Sequence, residues 1–68
     1  MKVWITTSNI WKRQVDVNKS MTFGEIVNTI LPGSNYAVVY KMKQMEPFMT
    51  LADANVWSES QLFIVSSN

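Results

Sequence analysis

A chain of 68 residues with 47% hydrophobic composition and three tryptophans is a single small globular domain, too apolar for a disordered tail and lacking any apolar run near the ~18 to 20 residues of a membrane span. Cysteine and histidine are both absent, which excludes disulfides and thiolate chemistry and removes the usual metal ligand and general base. Six basic against five acidic residues, a net charge of +1, give no electrostatic reason to expect nucleic acid or an anionic membrane as partner.

A domain of this size buries only about 60% of the surface its unfolded chain exposes, so every large apolar side chain counts toward stability. Residues 2 to 7 alternate, with Val3 and Ile5 on one face and Lys2, Trp4 and Thr6 on the other, the pattern of a half-buried strand. That alternation, following directly on Lys2, is also unlike a signal peptide, and the expected setting is the cytoplasm. Thr7-Ser8-Asn9-Ile10 reads as a turn. A second strand follows in which Val15 and Val17 join the core, so the first seventeen residues form a hairpin. The parity that buries Val15 also turns Arg13 and Trp11 inward; a bulge near the turn, or an Arg13 at the rim with its guanidinium in water, resolves this.

Ser20-Met21-Thr22-Phe23-Gly24-Glu25 is a helix start. Thr22 with Glu25 three residues on makes a capping box, and Met21 is placed to pack on Ile26 as a hydrophobic staple. Phe23, Ile26, Val27, Ile30 and Leu31 then share one helical face, and Leu31-Pro32-Gly33 ends the helix after about three turns, since a residue before proline is pushed out of the helical region. Tyr36-Ala37-Val38-Val39-Tyr40-Lys41 is a third strand, with Tyr36, Val38 and Tyr40 toward the helix and Val39 exposed. A tight turn and a very short strand around Met45 follow, closed by Pro47. The long loop from Phe48 to Ser60 feeds a last strand, where Leu62 and Ile64 share one face and Phe63 and Val65 the other. A strand apolar on both faces is either central or meets a partner. The order strand, strand, helix, strand, short strand, strand folds most simply as an α+β mixed sheet crossed by one helix.

Several segments resemble the ubiquitin-like (β-grasp) family in the correct order. Thr50-Leu51, Asp53, Asn55-Val56, Glu59, Ser60 and Leu62 are similar to the family's segment before its last strand. Met1-Lys2-Val3-Trp4-Ile5-Thr6-Thr7 is similar to its opening strand, and Val15-Asp16-Val17, Ser20, Thr22, Ile30 and Lys43-Gln44-Met45-Glu46 also coincide. The resemblance covers nearly the whole chain and implies a single ubiquitin-like domain over residues 1–68, its sheet of four to five strands having the first and last side by side at the centre. The chain is shorter by about one helical turn between helix and third strand, which a surface loop absorbs. It also departs in ending Ser66-Ser67-Asn68 where conjugated members carry Gly-Gly, so the expectation is a non-conjugated member. The first strand and Ser20-Met21-Thr22-Phe23-Gly24 further resemble the ubiquitin-like domain preceding the papain-like protease in coronavirus polyproteins, over less than half the chain.

The family's recognition patch falls here on Ser8, Val39 and Val65, so two apolar members survive. With Trp4 and Phe63 on the same outer face, the resemblance implies a protein-binding surface made of Trp4, Val39, Phe63 and Val65, and apolar patches beyond roughly 300 to 600 Å² usually mark contact sites. The plainer alternative is an ordinary sheet surface whose side chains cover one another. Trp57 and Trp11 fall at positions the family exposes, where each either anchors a partner or covers a core edge. Lys43 matches a linkage lysine, yet reads more simply as a solvated turn residue, and the five methionines read as core and surface filler.

No catalytic role is expected. Glu25 is committed to the cap, Asp53 and Glu59 lie in a loop without base or metal ligand, the serines lack a partner, and Gly24 and Gly33 alone build no phosphate cradle. The expected function is a non-catalytic adaptor that binds protein partners through the outer sheet face, without cofactor, metal, nucleic acid or membrane; weak homodimerisation is compatible with such a face. Two alternatives stay open: an accessory ubiquitin-like domain cut from a larger viral or bacterial enzyme polyprotein, and a modifier whose C-terminal tail has been removed.

Overall fold

The computed structural model describes residues 1–7, 12–32 and 35–66, the side chain of Ser66 excepted. Five strands and one helix follow in the order β1 (Lys2–Thr7), β2 (Lys12–Asp16), α1 (Phe23–Ile30), β3 (Tyr36–Tyr40), β4 (Lys43–Met45) and β5 (Gln61–Ser66). The strands form a single mixed sheet in the order β2-β1-β5-β3-β4. β1 and β5 run parallel, with Ile5 opposite Leu62, while β2, β3 and β4 join through antiparallel pairs. The first and last strands therefore lie side by side. Of the expected turn and its neighbour, Ser8, Asn9, Ile10 and Trp11 lie outside the described residues, as do Gly33, Ser34, Ser67 and Asn68; the β1–β2 register is regular from Lys12 to Asp16.

The inner face of the sheet carries the core. Val3, Ile5, Val38, Tyr40, Met45, Leu62 and Ile64 are buried there, and Phe23, Ile26 and Val27 of α1 close over them. Period-two alternation is what allows this, since a strand's alternate side chains reach one face only. Val17 also enters the core just past the end of β2, its N–H bonded to the Met1 carbonyl at 2.7 Å. Arg13 stands opposite Ile5 in register yet is exposed, because β2 is an edge strand.

The helix is eight residues rather than three turns. Thr22 is its N-cap, with both halves of the capping box made: the Thr22 hydroxyl oxygen accepts from the Glu25 N–H at 3.1 Å, and the Glu25 carboxylate accepts from the Thr22 N–H at 2.9 Å. Leu31, at φ −131° and ψ 71°, has left the helical region before Pro32, as the proline ring requires. Ile30 and Leu31 remain partly buried against the core.

The stretch expected as a loop from Phe48 to Ser60 is ordered by its own bonds. Leu51 is fully buried and Val56 nearly so, in the same core as the strand residues. The backbone laces onto the helix start through Phe23 N–H to Met49 O at 3.0 Å, Gly24 N–H to Pro47 O at 2.9 Å and Leu51 N–H to Met21 O at 3.0 Å. Thr50 and Asp53 repeat the capping reciprocity, each backbone N–H donating to the other's side chain at 3.1 Å. A Cβ on Gly24 would lie 3.0 Å from the Pro47 carbonyl oxygen, so glycine permits this close approach.

Candidate functional site

The register fixes what shares the outer face. Lys12, Thr6, Phe63, Val39 and Gln44 form one row across all five strands. A second row holds Gln14, Trp4 and Gln61, and a third pairs Val65 with Ala37. Phe63, Val39 and Val65 are therefore neighbours on β5 and β3, and Trp4 sits diagonally from Phe63 beyond a polar pair, Thr6 and Gln61. Phe63 is 44% exposed. Val39 is half-buried where the sequence led us to expect it exposed, and Val65 is half-buried too. Neighbouring side chains on a crowded row shield its branched carbons.

Trp4 is not a freely mobile ring. Its Nε1 donates to Glu59 Oε2 at 2.9 Å, and Gln14 Nε2 donates to both oxygens of the same carboxylate at 3.0 and 3.1 Å. Lys12 Nζ lies 5.1 Å from the indole centroid, within cation–π range. Glu59 is placed for this by the backbone: it holds φ 68°, and its N–H donates to the Lys2 carbonyl at 2.7 Å. A glutamate in the left-handed region is uncommon and costs energy, so the surroundings must hold it there. The result is a half-buried tryptophan held by Glu59 at its Nε1 and by Lys12 over its ring.

Trp57, 67% exposed, projects from the turn that precedes β5, where its own N–H is taken by the Ser60 hydroxyl at 2.9 Å. It borders an open depression of about 520 Å³ that Phe63 and Met42 also line. Met42 was not singled out from sequence. It is 98% exposed at the tip of the two-residue β3–β4 turn. Both turn residues have positive φ, 52° for Lys41 and 64° for Met42. That is the conformation of a hairpin turn that favours Asn-Gly, occupied here by two side-chain-bearing residues. Phe48, 74% exposed after Glu46-Pro47, was missed as well. A methionine or phenylalanine in a turn gives no periodic signal, so only the charge and turn pattern around it could have marked it.

An apolar cleft of about 200 Å³ opens between α1 and the β3–β4 edge, lined by Phe23, Val27, Tyr36, Val38, Met45 and Pro47. Among the described residues no group of three or more Asp and Glu side chains gathers as a metal would require. Glu25 is consumed by its cap, Asp53 by Thr50 and Glu59 by Trp4 and Gln14. No helix is long and apolar enough to cross a membrane among the described residues.

No protein-family model matches the chain, and no curated protein sequence matches it. The assignment of a role therefore rests on the surface itself.

Proposed function

We propose that the chain is a β-grasp, ubiquitin-like domain without catalytic activity, acting as an adaptor that binds protein partners through the outer face of its sheet. The β-grasp reading is supported by the strand order β2-β1-β5-β3-β4, by the parallel pairing of β1 with β5 and by the single capped helix on the opposite face.

The observation that carries the binding reading is the exposure of Phe63 in the middle of the sheet. β5 is paired on both sides, and its other face is fully buried through Leu62 and Ile64. A large aromatic left 44% exposed there, with Val39 and Val65 beside it, contributes little to folding and offers an anchor of the kind that dominates interfaces. Trp4 extends the surface as a rigid, pre-oriented ring whose ordering cost is already met within the domain.

The test compares wild type with a Phe63→Asp/Val39→Asp variant as immobilised baits in extracts of the source cells. The variant is expected to lose the specifically retained proteins while its circular dichroism and urea midpoint stay close to wild type. Undiminished retention by a folded variant overturns the reading.

A further inference from the structure

The five methionines differ sharply in their surroundings. Met45 is 8% exposed within the core, and Met1, Met21 and Met49 are partly buried against it. Met42 is 98% exposed. It sits at the tip of the two-residue turn that the Tyr40 and Lys43 pair closes, so the β3–β4 ladder on either side is made without any help from its side chain.

That placement sets the order in which the sulfurs react. The chain has no cysteine, so thioethers are its only sulfur groups and no thiol competes with them for an oxidant. A thioether is a soft nucleophile that needs no deprotonation, and access then decides which one a small oxidant reaches. At a buried position the reaction waits on local opening, and the product brings a polar S–O group into apolar packing. At Met42 neither obstacle exists.

We propose that Met42 is a modification site, the thioether that a peroxide oxidises first and without disturbing the fold. The sulfur attacks one oxygen of hydrogen peroxide, the O–O bond breaks, and the departing hydroxide takes the proton from the transferred oxygen and leaves as water. Sulfur loses two electrons to become the sulfoxide, and the peroxide gains them. The new oxygen stands at the rim of the depression that Trp57 and Phe63 also line, so one step turns part of an apolar surface polar. An exposed sulfoxide is also within reach of a methionine sulfoxide reductase, which returns the thioether while a dithiol is oxidised to its disulfide and water is released. The inference stands on accessibility and is independent of whether the outer face binds a partner.

The test is a time course of the native full chain in dilute hydrogen peroxide, read by peptide mapping with mass spectrometry, beside the same chain in concentrated urea. Met42 is expected to gain its oxygen at the same rate in both. Met1, Met21 and Met49 are expected to react more slowly in the folded chain than in urea, and Met45 at least about tenfold more slowly, because each must first be uncovered. The singly oxidised protein is expected to keep the wild-type urea midpoint, and Met42→Leu to lose the fast phase while remaining folded. Methionine sulfoxide reductases of both stereospecificities, with dithiothreitol, are expected to restore the original mass.

Oxidation of another methionine as fast as Met42 in the folded chain overturns the proposal, as does an undiminished fast phase in Met42→Leu. A Met42 rate that rises about tenfold in urea would show the sulfur to be sheltered in the folded state and overturns it too. So does a lowered urea midpoint of the singly oxidised protein, or a sulfoxide that neither reductase removes.

Discussion

Met42 concentrates at one residue a conflict between folding and exposure. Its side chain is almost wholly in solvent, so it contributes no core packing, and its φ of 64° places Cβ against the backbone in the left-handed region. That region costs a non-glycine residue roughly 1 to 2 kcal/mol, against the 0.5 to 1 kcal/mol of additional chain entropy that glycine loses on folding. Met42→Gly is therefore expected to stabilise the domain by about 0.5 to 1 kcal/mol, read as a rise in the urea midpoint with unchanged slope. The gain would measure the turn strain directly, since natural domains rarely sit at their stability optimum. Glu59 has the same backbone sign but the opposite logic, since its carboxylate repays the strain by holding Trp4 and Gln14.

At the scale of elements, the N-terminus of α1 is the part most legible in the sequence. Thr22 three residues before Glu25 announced the capping box, because that spacing is what lets each side chain reach the other's backbone N–H. The Glu25 carboxyl is held below its ordinary value of 4.5, chiefly by the backbone N–H of Thr22 and then by the Thr22 hydroxyl. A carboxyl depressed in the folded state stabilises the fold above its unfolded pKa and loses that contribution as pH falls through the folded value. The difference in urea midpoint between wild type and Glu25→Gln is thus expected to be constant above about pH 5 and to close as pH falls below 4.5. The segment from Phe48 to Ser60 was not legible in the same way. Leu51 and Val56 lie five residues apart among Ala, Asp and Asn, which fits neither a period of two nor one of 3.6, so nothing local declares them core. They are buried because the backbone around them is bonded to residues 19 to 24, a long-range fact. Leu51→Ala is expected to cost about 2 to 5 kcal/mol in chemical denaturation, the range of a fully buried leucine, a large share of the stability of so small a domain. A cost below 1 kcal/mol would mean that this segment is merely draped over the core.

For the molecule as a whole, alternation declared which side chains of β1, β3 and β5 face inward, and burial of Val3, Ile5, Val38, Tyr40, Leu62 and Ile64 matches it. Alternation is silent on which strand neighbours which. The adjacency of β1 and β5 came from the ordered likeness of short segments to a family, not from any periodic feature, because pairing partners are chosen by the whole sheet. The candidate surface was legible in proportion to its regularity: Phe63 and Val65 stand out as the second apolar face of a strand, whereas Met42, in a turn, does not. The parallel pairing of Trp4–Thr7 with Gln61–Ile64 has a consequence in time. β5 joins two locally made hairpins, β1 with β2 and β3 with β4, through the contact that spans most of the sequence. Its docking is therefore expected to limit the folding rate, and a molecule in which β5 has come away would bare one strand edge on each hairpin.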